Sequence, residues 1–200
     1  MVLPSLKDMY VSFGKYHAHP ITKIVHCFCM PQMIMTAFTV ARHFISEYEI
    51  TIQGETYKYD LCLVWVFAMA LIYMNIDFLT GILSAILYTG AWFLSRYLFL
   101  VAKENNQLNQ HLALCFIWHI AGWASQFSTH FIFDKRKPAI FENILLTMAA
   151  PAFIILDVLF FLGYKKKVKQ ECFAAVEEDL RDIELLRRKH YKYYCIRHCT

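Results

Sequence analysis

Long apolar runs separated by short polar or charged turns dominate the chain. Five of them predict helices: Ile24–Ile45, Leu61–Ile76, Phe78–Ala102, His111–Phe133 and Ala139–Tyr164. At a rise of 1.5 Å per residue the first would be about 33 Å long, enough to cross the hydrocarbon core of a bilayer. The pattern predicts an all-α, polytopic membrane helix bundle with four or five apolar segments, forming one domain over residues 1–164.

Polar positions divide these runs. Pro31 and Arg42 interrupt the first run, which predicts a kinked and partly interfacial helix. Ser46–Asp60 is a polar, acidic connection with Gly54 as its turn. Five spans would put the basic turns at 134–137 and 165–169 on opposite sides of the membrane, which the positive-inside rule does not favour. Either the tail crosses despite its charge, or one segment is re-entrant.

The character of the chain changes at Lys165. Phe173, Val176, Leu180 and Ile183 recur at three-four-three spacing, which predicts an amphipathic helix. Residues 165–200 therefore form a charged, amphipathic C-terminal tail in this interpretation. The tail helix either packs on its own domain or docks a protein partner, and the residues alone favour neither.

Composition supports the membrane interpretation. The hydrophobic share of 58% exceeds the roughly 45–50% of soluble domains. The net charge of +4 is modest, and no motif suggests a nucleic-acid partner. Residues 1–23 contain no apolar stretch typical of a secretory signal, and no arginine precedes Arg42, so we expect no mitochondrial presequence.

The seven cysteines form no C-x-x-C pair, and we expect no disulfide framework. Cys195, Cys199 and His198 could suggest a terminal metal clip, but a closed zinc site requires four ligands.

Histidine and glutamine side chains occur where a membrane helix would normally have neither. Gln126 and His130 are four residues apart and share a helix face, which Trp123 and His119 extend backwards. An ionisable group deep in an apolar segment is costly and usually marks a functional site. A histidine satisfied by a hydrogen bond to a neighbouring helix is the alternative.

A second group of histidines lies near the N-terminus. Pro20 is expected to open a helix, leaving His17 and His19 in the preceding loop and His26 on the helix. Because His26 and His130 both need polar partners in apolar surroundings, we expect the two regions to pack together. One shared metal would require their imidazoles to lie within roughly 10 Å. From the residues alone, a metal, a haem or a proton relay all stay open.

Three segments resemble one known family. They are WASQFSTHFIFDKRKPA at 123–139, Y-H-A-H-P at 16–20 followed by His26 and Pro31, and DVLFFLGY at 157–164 after Pro151. In order and spacing they are similar to the 2-hydroxy fatty acid dioxygenase family, membrane proteins tied to fatty-acid α-oxidation. Ser128-Thr129 stands where that family usually has Ile-Gly, and Asp157 where it usually has Glu.

The resemblance implies an Fe(II)-dependent dioxygenase that shortens 2-hydroxy long-chain fatty acids by one carbon. It implies an intracellular membrane, the endoplasmic reticulum first and the mitochondrial inner membrane as the alternative. The expected iron ligands are His17, His19, His26 and His130. His119 lies about 16 Å along the helix axis from His130, so it is expected to support the site or to belong to a second metal site. Gln126, one turn before His130, is expected to support the site through a hydrogen bond. Arg136 and Lys137, at the membrane boundary, are expected to hold the substrate carboxylate.

A function of another class stays open. The tail lies outside the resemblance and suits docking, and the two departures fall near the expected site. The alternative is therefore a non-catalytic accessory subunit of a large membrane complex, for example in the mitochondrial inner membrane, that keeps this fold.

Overall fold

The computed structural model describes residues 5–45, 47–141 and 144–198, and this part of the chain is mostly helical. The elements are α1 Leu6–Gly14, α2 Pro20–Arg42, β1 Tyr48–Ile52, β2 Glu55–Tyr59, α3 Leu61–Ile76, α4 Phe78–Glu104, α5 Leu108–Thr129, α6 Ile144–Phe161 and α7 Lys166–His198. A short π-helix, His130–Asp134, continues α5, and a 3-10 turn, Ala139–Phe141, precedes α6.

Polar side chains fix where the long helices begin. The His19 ring accepts a hydrogen bond from a first-turn N–H of α2, and Pro20 supplies the first helical residue. Asp60 and Asp77 cap α3 and α4 in the same way, at 2.9 and 3.0 Å. Each cap satisfies a backbone donor that the helix itself cannot pair.

Helix α2 is the centre of the bundle and packs against α4, α5 and α6. It runs antiparallel to α5, since His26 lies beside His130 while Thr36 lies beside His119. The two helices come close at Gly122, where an added Cβ would meet Met33 at 2.6 Å. This close packing sets the two histidine-bearing helices side by side.

A two-stranded antiparallel sheet corrects the all-α prediction. The segment interpreted as a polar connection forms β1 and β2, paired from Tyr48–Tyr59 to Ile52–Glu55. Gln53 and Gly54 both have positive φ, which suits the twist of a two-residue hairpin turn. Tyr, Ile and Thr dominate both strands, and these residues favour extended backbone.

Two of the described helices are long and apolar enough to cross a membrane, α2 and α4. A third span results if Leu146–Phe161 and Lys166–Ile183, which meet at 120°, count as one broken segment. Helix α3 is apolar but shorter. By length and composition the structure therefore contains two or three candidate spans, and the predicted four or five are not confirmed.

The first half of α7 folds back onto the bundle. Cys172 and Val176 are buried in the same core as Tyr10 and Phe13 of α1, and Gly14 leaves room for the Val176 side chain. Up to residue 183, where side chains are described, the tail thus packs on its own domain. Docking of a partner stays a prediction, and the suggested clip of Cys195, Cys199 and His198 lies outside the described side chains.

Candidate metal centre

Three buried histidines meet between α1, α2 and the π-helix. His17, His26 and His130 are each only 3% exposed, and each offers a ligand atom within 4.8 Å of the others. Their ring centroids are 4.7, 4.8 and 5.0 Å apart. The predicted proximity of His26 and His130 is therefore confirmed, and the three side chains form what we call the histidine centre.

Backbone carbonyls orient two of the rings. His17 Nδ1 lies 3.1 Å from the carbonyl oxygen of Phe13, and His26 Nδ1 lies 2.8 Å from that of Thr22. Each contact reaches back four residues and assigns the Nδ1 proton to a carbonyl. The Nε2 lone pair of each ring is then free for the centre, as in most histidine metal ligands.

Asp134 orients the ring of His130 and connects it to the backbone at the start of α2. Its Oδ2 lies 3.2 Å from His130 Nδ1, and its Oδ1 accepts the backbone N–H of His19 at 2.8 Å. The π-helix ends at Asp134, and the left-handed backbone of Lys135 (φ 51°) turns the chain directly after it. Sequence reasoning missed Asp134, although its position four residues after His130 was a usable signal.

Opposing effects act on this carboxyl group. Burial raises the pKa of Asp134, but hydrogen bonds from His130, the His19 backbone and Thr22 lower it further than burial raises it. The net pKa lies below its usual value, so the group is an anion at neutral pH. An anionic acceptor beside His130 Nδ1 fixes the tautomer and orientation of that imidazole for metal binding.

Burial keeps His17 uncharged. It lowers the pKa of His17 well below its usual value, and the neighbouring His26 and His130 lower it further. The ring also stacks on Phe13, with centroids 4.0 Å apart and planes 16° from parallel. A neutral imidazole held in one orientation is the form that binds a metal ion.

His19, predicted as a fourth ligand, is not in the histidine centre. Its Nδ1 accepts the N–H of Ile21 as the cap of α2, and its ring stacks on Phe133 at 5.0 Å. The physical reason is Pro20, which starts the helix and makes His19 the capping residue. Its backbone, rather than its ring, contributes to the centre through Asp134.

The supporting residues predicted on α5 lie near the centre but outside it. His119 has both nitrogens engaged, Nδ1 with the Thr36 hydroxyl at 3.0 Å and Nε2 with the Trp123 N–H at 3.2 Å. Gln126 donates to the Met33 sulfur at 3.0 Å. Both side chains thus help to hold α5 against α2.

Asp157, the position that differs from the family pattern, also lies outside the centre. It is half-buried and accepts hydrogen bonds from the Tyr10 hydroxyl and from Lys23, the latter at 3.1 Å. These contacts tie α1, α2 and α6 together beside the histidines.

An apolar cavity of about 390 Å³ starts at the histidine centre and extends between α2, α5 and α6. Arg136 and Lys137 do not line it. They border a separate basic pocket with Lys15 and Tyr16, and Arg136 donates to the Lys15 carbonyl at 2.8 Å. The structure thus does not place the basic turn inside the cavity as the carboxylate site that the sequence suggested.

The histidine centre fits a divalent transition metal. It offers three imidazole nitrogen donors in apolar surroundings, with their second nitrogens held by oxygen acceptors. Imidazole donors suit iron, zinc, copper and nickel. Three protein ligands leave coordination positions open, which is typical of catalytic rather than structural sites.

Fold and site together define a helical protein with membrane-length segments and a buried three-histidine centre at the end of an apolar cavity. Residues 3–162 match the family described as 2-hydroxy-palmitic acid dioxygenase Mpo1-like. The chain belongs to the Mpo1-like family. It is 26% identical to the 2-hydroxy-palmitic acid dioxygenase MPO1 of Saccharomyces cerevisiae over 179 residues, which is 89% of this chain and 91% of the yeast protein. No solved structure matches the chain significantly.

Proposed function

We propose that this protein is an Fe(II)-dependent dioxygenase that shortens 2-hydroxy long-chain fatty acids by one carbon. The observation that carries the proposal is the histidine centre at the end of an apolar cavity, in a chain of this family. With one O2, a 2-hydroxy acid can give the acid one carbon shorter, CO2 and water, which balances carbon, hydrogen and oxygen.

The chain's own residues have distinct roles in this proposal. His17, His26 and His130 would hold the iron, and bound Fe(II) with open positions would supply O2 activation. Asp134 fixes the His130 ring and anchors the start of α2. Phe13, stacked on His17, shields one side of the centre from water.

We further propose that the protein lies in a membrane, the endoplasmic reticulum first. Support comes from large apolar side chains that face outward along the helices. Phe67, Leu71, Ile86 and Ile117 are each more than 60% exposed. In water such surfaces would be costly, whereas lipid chains cover them.

Metal analysis tests the histidine centre. Full-length protein purified in detergent should contain iron near stoichiometry, and His17→Ala/His130→Ala should lose it. The control is His43→Ala/His111→Ala. These two histidines have ring centroids 6.2 Å apart and are not in the histidine centre. Full iron content in the first double variant would contradict the ligand assignment.

Turnover tests the substrate. Membranes containing the protein, supplied with Fe(II), O2 and a 2-hydroxy long-chain acid, should yield the acid one carbon shorter by mass spectrometry. Anaerobic samples should yield none. Iron-loaded protein that forms no shortened acid in the presence of O2 would rule out the proposed reaction.

A further inference from the structure

The apolar cavity continues well beyond the histidine centre. Along α2 its lining runs from His26 to Ala41, fifteen residues or about 22 Å of helix. Towards the far end, about 18 Å along α2 from His26, lie Phe38 and Trp65, whose rings contact edge to face with centroids 5.8 Å apart. Trp65 is held in turn by Tyr88, at 5.7 Å.

The walls between these two ends are apolar. The lining side chains include Met30, Ile34, Phe127, Leu146 and Ala150. Three polar side chains also line the walls: His119, Gln126 and Thr147. Hydrogen bonds to Thr36, Trp123 and Met33 occupy the first two. A long and narrow apolar space with polar chemistry at one end suits an unbranched acyl chain.

The cavity also reaches the side of the bundle. Helices α5 and α6 both pack on α2, and Ala37 of α2 is exposed although it lines the cavity. An acyl chain could therefore enter from the lipid side without passing through water.

We propose that this cavity binds the acyl chain of the substrate and that the Phe38–Trp65 pair limits its length. The inference rests on the proposed function, because it places the reacting end at the histidine centre. The chain then extends along α2, and its last carbons meet the aromatic pair. Substrate length is set by the distance between the centre and this pair.

Two substitutions change that distance in opposite directions. Trp65→Ala removes one half of the aromatic pair and lengthens the cavity. Ile34→Trp fills it about one helical turn before Phe38 and shortens it. Trp118→Ala is the matched control, since Trp118 is 61% exposed and does not line the cavity.

The measurement is kcat/KM over an even-numbered series of 2-hydroxy acids from decanoic to eicosanoic. Trp65→Ala should move the optimum to longer acids, and Ile34→Trp to shorter ones. One methylene in a hydrophobic pocket changes kcat/KM about tenfold or more, so the shifts should be large. Trp118→Ala should keep the wild-type profile.

Binding provides an independent readout. The same acids compete with a fluorescent fatty acid for the iron-loaded protein under anaerobic conditions, so that no turnover occurs. If the preferred acid length for binding shifts in both variants, the inference is supported even when wild type turns over no acid. Absence of turnover would then rule out only the proposed reaction. Wild-type turnover and binding profiles retained by two folded variants would overturn the inference and leave the proposed reaction standing.

Discussion

Asp134 connects the histidine centre to the start of α2 through separate oxygens: one contacts His130, and the other accepts the backbone N–H of His19. Asp134→Asn keeps the size of the side chain but removes its charge. We expect iron affinity to fall about 10–100-fold, as for other outer partners of metal ligands. Competition with a metal-binding dye on purified protein measures this change.

The matched control is Asp182→Asn, at an exposed position on α7. It should leave iron affinity within error of wild type. If Asp134→Asn binds iron as tightly as Asp182→Asn does, Asp134 only anchors the backbone of His19 and does not tune the metal.

At the scale of single residues, the sequence predicted which histidine rings meet but not which side chains orient them. The apolar surroundings of His26 and His130 predicted their meeting, because neither could remain unpaired there. The role of Asp134 depends on a backbone contact 115 residues away. No local sequence pattern encodes such a contact. The hydrogen bond from Arg136 to the Lys15 carbonyl is equally distant in the chain and could not be predicted either.

Between α2 and α5, one glycine permits the approach that builds the centre. An added Cβ at Gly122 would lie 2.6 Å from Met33, so Gly122→Ala must push the helices apart or move Met33. Overpacking of this kind costs about 1–3 kcal/mol. We expect a lower unfolding temperature in detergent and weaker iron binding.

Gly90→Ala is the control for Gly122→Ala, because an added Cβ at this helical position meets nothing within 4 Å. It should leave iron binding unchanged and stabilise α4 by up to about 1 kcal/mol through helix propensity alone. Equal effects of the two substitutions would contradict the close packing of α2 on α5.

Asp77 makes the start of α4 sensitive to pH. Burial raises its pKa, but hydrogen bonds from Lys165 and Thr80 lower it more, so the pKa lies below its usual value. The stabilisation is therefore present above the unfolded value of about 3.9 and is lost as pH falls through the folded value. Asp77→Ala should cost about 1 kcal/mol at neutral pH through the lost cap.

Thermal unfolding of wild type and Asp77→Ala between neutral pH and about pH 3 checks this expectation. The difference in unfolding temperature between the two proteins should become smaller as the pH falls below the unfolded pKa of Asp77. Lys165→Met keeps the cap and should cost less, since Lys165 is partly exposed. A gap that does not change with pH would show that Asp77 does not act as a carboxylate.

The sequence predicted the helices, because a long apolar run with polar ends can pair its backbone groups in few other conformations. The hairpin did not. Its alternation of Tyr, Ile and Thr with polar residues was present, but a short acidic segment between two apolar runs favoured a simple connection. Gln53, in a left-handed conformation usually taken by Asn or Gly, gave no turn signal.

For the whole molecule, the tail decides between a free-standing enzyme and a subunit that docks elsewhere. Val176 is buried against α1, so Val176→Asp should release α7 and lower the unfolding temperature. Glu177→Ala, on the exposed face one residue later, should have little effect.

Gentle detergent extraction followed by native electrophoresis separates the two functions. Migration as a small monomer or dimer is expected for the enzyme. Co-migration of wild type with a large complex, lost in Glu177→Ala but kept in Val176→Asp, would favour a docking role for the exposed face of the tail.

The junction between His19 and Asp134, 115 residues apart, also has a consequence for biosynthesis. His17 and His26 leave the ribosome long before His130 is made, so the nascent chain spends most of its synthesis with two of the three histidines of the centre. If the centre holds iron as proposed, loading is a late event that requires a completed bundle. Released chains that stop before His130 should emerge without iron, whatever the supply of metal in the cell.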